Sequence, residues 1–432
     1  MINSSLKYTV KYILKNDYIL NLFNKIYSIV IAILSSSFIT RYLGVYLKGE
    51  YSYILQVVNV LVLILNFGFY QSYSYNYRKY GQEIFRKYIC IFLFQFVIYI
   101  LISIFLIIYF NNYLYTLILI LVPFNVLKLQ MENVMIVENI RLKIKINMFN
   151  ITISMLMYGF MLFFGNRKLI YPILAIILID LISIFIYLKK MNYIPKFKDI
   201  DISFLREILL FGYLPMLTNL LVTLNYSVDI FFLRNFGYPI ELSLYSTAAG
   251  IVNYIWLIPD TFKDVLFSRV ARKDSQDSVV LSVKLSLSAV IIVIFVFIIF
   301  GKLAIKILYG IEFIESYSVT IILFIGAISM IFFKIFGVVF LAEGKRWFFF
   351  ISLFISVVLN VILNLLLIPL FDMLGAAIAS VFSYSICGLL FLIYYSKTKN
   401  ISINKIIILT FKDITYLKNL IKQYCVINEG RS

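Results

Sequence analysis

Long apolar runs recur along nearly the whole chain. An α-helix needs about 20 mostly apolar residues to cross a hydrocarbon layer about 30 Å thick. Twelve segments meet that requirement, some only by accepting interior polar residues: 18–40, 51–70, 88–110, 114–138, 147–165, 169–188, 207–232, 242–264, 279–300, 318–342, 347–370 and 373–395. Since a helix satisfies its own backbone groups in lipid, the runs predict an all-α integral membrane protein with about twelve transmembrane helices.

The distribution of positive charge predicts how these helices are oriented. With 62% hydrophobic residues the chain has too much apolar surface for a soluble fold, yet its net charge is +18. If the N-terminus is inside, 28 of the 39 Lys and Arg residues fall in inner loops and tails, and 7 fall in outer loops. Because positive loops stay cytoplasmic, both termini are predicted to be cytoplasmic. The same count explains the excess charge without a nucleic-acid partner.

Several chemistries have no residues to support them in this sequence. There are 3 cysteines, without a Cys-x-x-Cys spacing, and no histidine, so neither a zinc site nor thiol catalysis is expected. No nucleotide-binding P-loop and no Gly-x-Ser-x-Gly elbow occurs. The sequence therefore predicts no catalytic residue, no metal and no cofactor.

A short phrase occurs twice, each time after a long apolar run. Arg41-Tyr42-Leu43-Gly44 precedes Tyr51-Ser52, and Arg234-Asn235-Phe236-Gly237 precedes Tyr245-Ser246. Both copies fall on outer links, after the first and seventh predicted helices. Since six helices separate them, the two halves run in the same direction, as in a parallel repeat with a cavity where the halves meet. Arg41 and Arg234 are interpreted as ties between helix ends and headgroups or carbonyls.

This repeat predicts four regions. They are an N-terminal six-helix lobe at 1–190, a cytoplasmic linker at 191–206, a C-terminal six-helix lobe at 207–395 and a basic tail at 396–432. The tail alternates apolar and lysine residues near helical spacing and is too short to span a membrane. It predicts an amphipathic helix on the inner membrane surface.

The first link, Ile39-Thr40-Arg41-Tyr42-Leu43-Gly44 with Lys48-Gly49-Glu50-Tyr51-Ser52, carries a family resemblance. The match continues in order through Phe211-Gly212-Tyr213-Leu214-Pro215, Asp229, Leu244-Tyr245-Ser246, Ile258-Pro259, Gly344-Lys345, Asn360, Leu367-Ile368-Pro369 and Gly375-Ala376-Ala377. The chain resembles the polysaccharide transporter family, which flips lipid-linked oligosaccharides of O-antigen or capsule, within the multidrug/oligosaccharidyl-lipid/polysaccharide (MOP) exporter superfamily. The resemblance ends near Tyr395, where some members continue into two further helices.

The resemblance implies a fold and a function. The fold would have two parallel six-helix lobes and be MATE-like. The cargo would be an oligosaccharide on polyprenyl diphosphate, moved across the cytoplasmic membrane by alternating access. The implied partners are this lipid-linked substrate, membrane lipids and the polysaccharide polymerase machinery.

Charged residues inside helices are the candidates for substrate contact, since each costs roughly 2.5–3.5 kcal/mol on insertion scales. Asn21, Lys25 and Ser28 share one face of the first helix, where Lys25 either binds an anionic diphosphate or extends to the inner headgroups. Lys334 is interpreted as a second substrate cation. Lys284 is interpreted as extending to the headgroups.

Two carboxylates are candidates for ion coupling or gating. Lys128 and Glu132 are spaced i, i+4 beside Asn125, which permits either a structural ion pair or a carboxylate that responds to substrate on Lys128. Asn225 and Asp229 share a face of the seventh helix and form either a coupling site or an interhelical hydrogen bond. Asp180 has no partner that the sequence identifies, and Asp260 is placed in the headgroup zone.

Other residues are assigned structural roles. Pro215 follows Gly212 and predicts a kink or broken turn in the seventh helix. Asn360 and Asn364 are spaced i, i+4 and predict hydrogen bonds between helices. Gly44 and Gly237 complete the two repeated links.

Two other functions stay open at this point. A multidrug exporter of the same superfamily would share the fold but should concentrate carboxylates, rather than lysines, in its cavity. A membrane-embedded glycan polymerase or ligase would need a large outer loop with acid-base residues, and no such loop is evident.

Overall fold

The structure, a computed structural model, describes residues 17–191, 202–270, 276–411 and 413, with side chains omitted at 17–22, 191, 202 and 264–270. Seven helices come first: α1 (Asp17–Leu65), α2 (Phe69–Tyr80), α3 (Ile84–Phe110), α4 (Tyr113–Glu138), α5 (Ile140–Phe164), α6 (Ile170–Met191) and α7 (Ile202–Asn235). Five follow: α8 (Pro239–Val270), α9 (Gln276–Leu308), α10 (Ser316–Ala342), α11 (Arg346–Lys399) and α12 (Ile403–Ile407).

These helices confirm the predicted all-α membrane fold. Within the described ranges, 9 helical stretches are long and apolar enough to cross a membrane. Two of them, α1 and α11, each hold two predicted spans, separated by non-helical backbone at Gly44 and Asp372. The total of twelve crossings and the cytoplasmic placement of both termini stay predictions.

The glycines of the two repeated links share a backbone conformation. Gly44 has φ +68° and Gly237 has φ +83°, both in the left-handed region. Any residue with a Cβ is strained there. The repeated glycine therefore ends the preceding helix and lets the chain change direction at each link.

The chain divides into two compact units. Unit 1 comprises 1–246 with 305–314, and unit 2 comprises 247–304 with 315–432. This division does not test the six-helix lobes at 1–190 and 207–395, which stay a prediction. Most of the 191–206 linker lies outside the described residues. At the start of the tail, α12 ends at Ile407 and residues 408–410 are not helical, and most of the expected amphipathic helix beyond them lies outside the described residues.

In unit 1, α4 lies between two hydrophobic clusters. Leu121 and Val126 of α4 pack in a cluster with residues of α1, α5 and α6. Leu127 and Met131 pack in a second cluster with residues of α2, α3, α6 and α7. Because α4 is packed on both sides, a charged residue at its centre is held inside the bundle.

Pro215 lies inside a continuous helix, α7. The helix runs from Ile202 to Asn235 without a broken turn, and the other predicted outcome, a kink, stays a prediction. Pro215 removes a single backbone donor, and long helical stretches on both sides maintain the helix. Gly212 instead serves close packing, because a Cβ there would lie 2.1 Å from the carbonyl oxygen of Gly68.

In unit 2, the two halves of α11 are joined by buried polar groups. Asn360 Nδ2 donates to the hydroxyl of Ser383 over 3.0 Å, and Ser356 donates to the Ser383 carbonyl over 2.8 Å. Asn364 donates to the carbonyl of Asn360 over 2.9 Å. The Ser356 and Asn360 contacts run between the two halves, whereas the Asn364 contact lies within the first half, so an interhelical role of Asn364 stays a prediction.

The described start of the tail is attached to α9 by an ion pair. Lys284 Nζ lies 2.8 Å from Asp413 Oδ2, and the Lys284 side chain is buried. The sequence prediction that Lys284 extends to the headgroups is therefore wrong. Burial of Asp413 raises its pKa, but hydrogen bonds from Lys284 and from the hydroxyl and amide of Thr410 outweigh this and lower the pKa from 3.8 to about 2.

Asp413 should therefore hold the tail in place in a pH-dependent way. A lowered carboxyl pKa stabilises the folded state above the unfolded pKa, and this stabilisation is lost as the pH falls from about 4 to about 2. Pepsin cleavage within 401–411 is expected to accelerate across that window. At pH 7, Asp413→Asn should speed amide exchange in 401–411, whereas Asp277→Asn, at an exposed acid at the start of α9, should not. Equal exchange in the two variants would contradict the role of the pair.

Candidate functional sites

The most deeply buried ion pair of unit 1 joins α4 to α6. Lys128 Nζ lies 2.7 Å from Oδ1 of Asp180, whose side chain is 1% exposed while that of Lys128 is 24% exposed. Asn125 Nδ2 donates to the other oxygen, Oδ2, over 3.0 Å. The carboxylate is therefore held at both oxygens, whereas the Lys128 side chain keeps part of its surface exposed. This geometry would let Lys128 bind an anion without leaving Asp180.

Further titratable groups surround this pair. Glu132 interacts electrostatically with Lys128 and with Lys143 of α5. Tyr158 of α5 interacts electrostatically with Asp180 and Lys128, and its hydroxyl lies 3.4 Å from that of Tyr51 in α1. The two lysines and two carboxylates of this group balance in charge.

The sequence pairs Lys128 with Glu132, but the structure pairs it with Asp180. A lysine at the surface of an isolated helix meets the residue four positions on. Inside a bundle, a neighbouring helix can place a carboxylate closer, and here α6 does so. The coupling role predicted for Glu132 stays a prediction.

The predicted polar face of α1 makes contacts with α5. Asn147 Nδ2 lies 3.3 Å from Asn24 Oδ1 and 3.4 Å from the hydroxyl of Ser28. Lys25 is half-buried beside them, and the side chain of Asn21 lies outside the described part. Ser28 therefore takes part in a helix-to-helix contact, and the substrate role of Lys25 stays a prediction.

Asp229 is buried in unit 1 and accepts a hydrogen bond. Its Oδ2 receives the Tyr245 hydroxyl over 2.6 Å, and both Asp229 and Asn225 are 0% exposed. Tyr245 belongs to the second copy of the repeated phrase. The contact supplies the interhelical hydrogen bond that was one of the two interpretations, and coupling through Asp229 stays a prediction.

A second charged cluster lies within unit 2. Asp260 of α8 contacts two ammonium groups: Lys334 Nζ of α10 at 2.8 Å from Oδ2, and Lys263 Nζ at 2.9 Å from Oδ1. Lys334 also lies 5.4 Å from the ring centroid of Trp256, whose ring packs edge-on against Tyr384. Among the described side chains, the cluster has two ammonium groups for one carboxylate.

The two repeated arginines make different contacts, both within unit 1. Arg41 Nε donates to the carbonyl of Leu308 over 2.8 Å, and its Nη2 donates to the carbonyl of Ile307. Arg234 instead pairs with Glu50, through Nε to Oε2 at 3.2 Å and Nη2 to Oε1 at 3.1 Å. Arg41 thus donates to the last carbonyl groups of α9, and Arg234 forms a bidentate ion pair with Glu50 of the first link.

The sequence identifies the buried lysines but not the carboxylates that pair with them. It named Lys128 and Lys334 but assigned Asp180 no partner and placed Asp260 among headgroups. The partners are 52 and 74 positions away, and no periodicity links them. The only local signal was the i, i+3 spacing of Asp260 and Lys263. Among the described residues, no group of three or more His, Cys, Asp and Glu side chains could hold a metal ion.

Comparison with known proteins identifies the fold. No family model and no curated protein matches this chain. The architecture is similar to that of solved flippase and transporter structures. It is similar to the lipid II flippase MurJ in an inward closed conformation, with a TM-score of 0.71 at 14% identity over 90% of this chain and 88% of that one.

Two transporters show the same fold. An inward-facing multidrug resistance MATE family transporter of the MOP superfamily gives a TM-score of 0.62 at 11% identity, over 89% of this chain and 98% of that one. A mutant of the Vibrio cholerae MATE transporter VcmN gives a TM-score of 0.58 at 14% identity, over 90% of this chain and 96% of that one. The predicted MATE-like fold is confirmed.

Proposed function

We propose that this protein is a flippase that moves an oligosaccharide linked to polyprenyl diphosphate across the cytoplasmic membrane by alternating access. The observation that carries the proposal is the cluster of Asp260, Lys263 and Lys334, where two ammonium groups share one carboxylate. Among the described side chains this gives a net positive charge partly inside an apolar bundle, which favours an anionic ligand. The likeness to a lipid II flippase supports the same interpretation.

The arrangement of Lys334 suits a diphosphate. Its side chain is 11% exposed, so a phosphate oxygen that reached it would be shielded from water. A lysine ammonium group has three donors, and the bond to Asp260 uses one of them. Charge-assisted hydrogen bonds are stronger than neutral ones. Lys334 would therefore bind the headgroup while Asp260 keeps it charged and in position.

Lys128 in unit 1 provides a second cationic contact of the same kind. It keeps 24% of its side chain open while Asp180 is fully enclosed. Burying a bare charged headgroup in hydrocarbon costs tens of kcal/mol by Born estimates, which makes unaided flipping negligible. Interior cations lower that cost, and the polyprenyl tail can stay in lipid throughout.

Complementation tests the proposal. The full chain is expressed in a bacterial strain that lacks its own flippase, and surface polysaccharide and lipid-linked precursor are measured. Restored polysaccharide with less trapped precursor is the expected result, and Lys25→Ala is expected to weaken it at equal membrane levels. A chain that reaches the membrane yet restores none of several glycans contradicts the proposal.

A multidrug exporter is the second candidate, favoured by the carboxylates Asp180 and Glu132 in unit 1. Such an exporter is expected to raise resistance to cationic dyes in a strain without its own exporters. Asp180→Asn and Glu132→Gln would then remove resistance while Lys334→Ala would not. Dye resistance without glycan export would replace the flippase proposal with this one.

A further inference from the structure

A cleft of about 630 Å³ opens in unit 1 beside the second repeated link. Its lining combines aromatic rings with amide and guanidinium groups, including Tyr53, Tyr115, Phe231, Asn112 and Arg234. The volume falls within the range of roughly 300–1,000 Å³ that is usual for small-molecule sites. The charge distribution along the sequence predicts that this end of the unit faces outward.

Arg234 is the charged residue of the lining, and its charge is balanced by Glu50, which lies outside the lining. Arg234 binds Glu50 through both prongs of its guanidinium group, and the Glu50 side chain is only 7% exposed. Arg234 itself remains 34% exposed, so its remaining N–H groups are within reach of a ligand. A neutral ligand with many hydroxyl groups fits this pair better than a phosphate does, since Glu50 already balances the cation.

Aromatic rings form the apolar part of the lining. The guanidinium carbon of Arg234 lies 5.7 Å from the centre of the Tyr53 ring, and Phe231 meets Tyr53 edge-on with centroids 6.2 Å apart. Tyr115 interacts electrostatically with Tyr53, so the two phenol groups are close. Aromatic faces carry negative potential, and the C–H faces of a pyranose ring are complementary to them.

The amide that borders the cleft is fixed by its role as a helix cap. Asn112 Oδ1 accepts from the amides of Leu114 and Tyr115 over 3.0 and 3.4 Å, which caps the start of α4. With its oxygen used in this way, Asn112 presents its amide nitrogen as a donor. The cap also fixes the position of Tyr115, which is 49% exposed.

The geometry points to a binding site for the pyranose rings of a neutral glycan in this cleft. Tyr53, Tyr115 and Phe231 contact the apolar sugar faces, and Arg234 and Asn112 donate hydrogen bonds to hydroxyl groups. If the proposed function holds, this site receives the sugar on the outer side of the membrane and disfavours its return. That role rests on the proposed function, whereas sugar binding itself does not.

Tyr113 offers a matched control for Tyr115. Both are tyrosines in the first turn of α4, 55% and 49% exposed, and both would suit an aromatic belt at the membrane surface. Only Tyr115 lines the cleft. If both tyrosines serve only as belt residues, substituting either one should have the same effect on sugar binding. If Tyr115 is part of a sugar site, only its substitution should weaken binding.

The experiment is saturation-transfer NMR on the full chain in phosphatidylcholine nanodiscs. The probes are maltotriose and fully N-acetylated chitotriose, which are neutral, and trigalacturonate, which is anionic. Saturation of ring C–H protons is expected for at least one neutral trisaccharide, with an affinity that falls about tenfold in Tyr115→Ala. Tyr113→Ala should bind as the unchanged protein does.

Three results would overturn the site. These are no saturation of either neutral trisaccharide, binding of trigalacturonate alone, and equal loss in the Tyr113 and Tyr115 variants. Because no transport is measured, the outcome is independent of complementation. Sugar binding in a chain that fails complementation would keep the site and remove its place in flipping.

Discussion

Lys334→Ala is expected to abolish glycan export in the complemented strain while leaving the protein in the membrane. Hydrogen bonds to charged groups contribute about 1.5–3 kcal/mol, so loss of this contact should lower transport at limiting substrate by about 10- to 100-fold. Asp260 keeps Lys263 as a counter-ion in the variant, which limits the effect on stability. Export is measured as surface polysaccharide, and membrane level by immunoblot.

Lys284→Ala is the matched control for Lys334→Ala. Lys284 is also a buried lysine of unit 2 with an aspartate partner, but that partner is Asp413 in the tail rather than Asp260. Lys334→Arg should retain part of the export because it keeps the charge. Equal export in the Lys334→Ala and Lys284→Ala variants would remove Lys334 from the substrate site.

The second large effect is expected at the Lys128–Asp180 pair, where a double substitution should restore stability without restoring transport. Asp180→Asn removes the partner of a largely buried lysine, a change that typically costs about 3–5 kcal/mol of folding free energy. The double variant Lys128→Met, Asp180→Leu fills the space with apolar groups and should regain most of that stability. It should not regain export, because the cation is gone.

Two measurements distinguish these outcomes. Thermal unfolding of the purified protein in detergent reports stability, and complementation reports export. A purely structural pair predicts that the double variant recovers both. A substrate contact predicts recovered unfolding temperature with no recovered polysaccharide.

The sequence predicted the helices well because each apolar run has the length that a bilayer requires. All twelve runs fall largely on described helices, and the two links with Gly44 and Gly237 carry the positive φ that a repeated glycine suggests. At Pro215 the sequence predicts a kink or a broken turn, and neighbouring turns keep the helix continuous, so only the kink stays a prediction. A proline alone therefore does not determine how its helix responds.

The candidate sites were only half accessible to sequence reasoning. Interior lysines are conspicuous because each is costly in lipid, so Lys128 and Lys334 could be named. Their partners depend on which helices pack together, and that is set by contacts distributed over several helices. A single sequence carries no record of those contacts, which is why the sequence identifies no partner for Asp180 and places Asp260 in the headgroup zone.

The pairing of Arg234 with Glu50 bears on the order in which the chain is made. Glu50 leaves the ribosome 184 residues before its counter-ion, so a nascent chain that stops short of α7 would have to bury a carboxylate without a partner. We expect the first six helices to stay loosely assembled until α7 inserts. The ion pair between the two copies of the link can form only after the second copy has been translated.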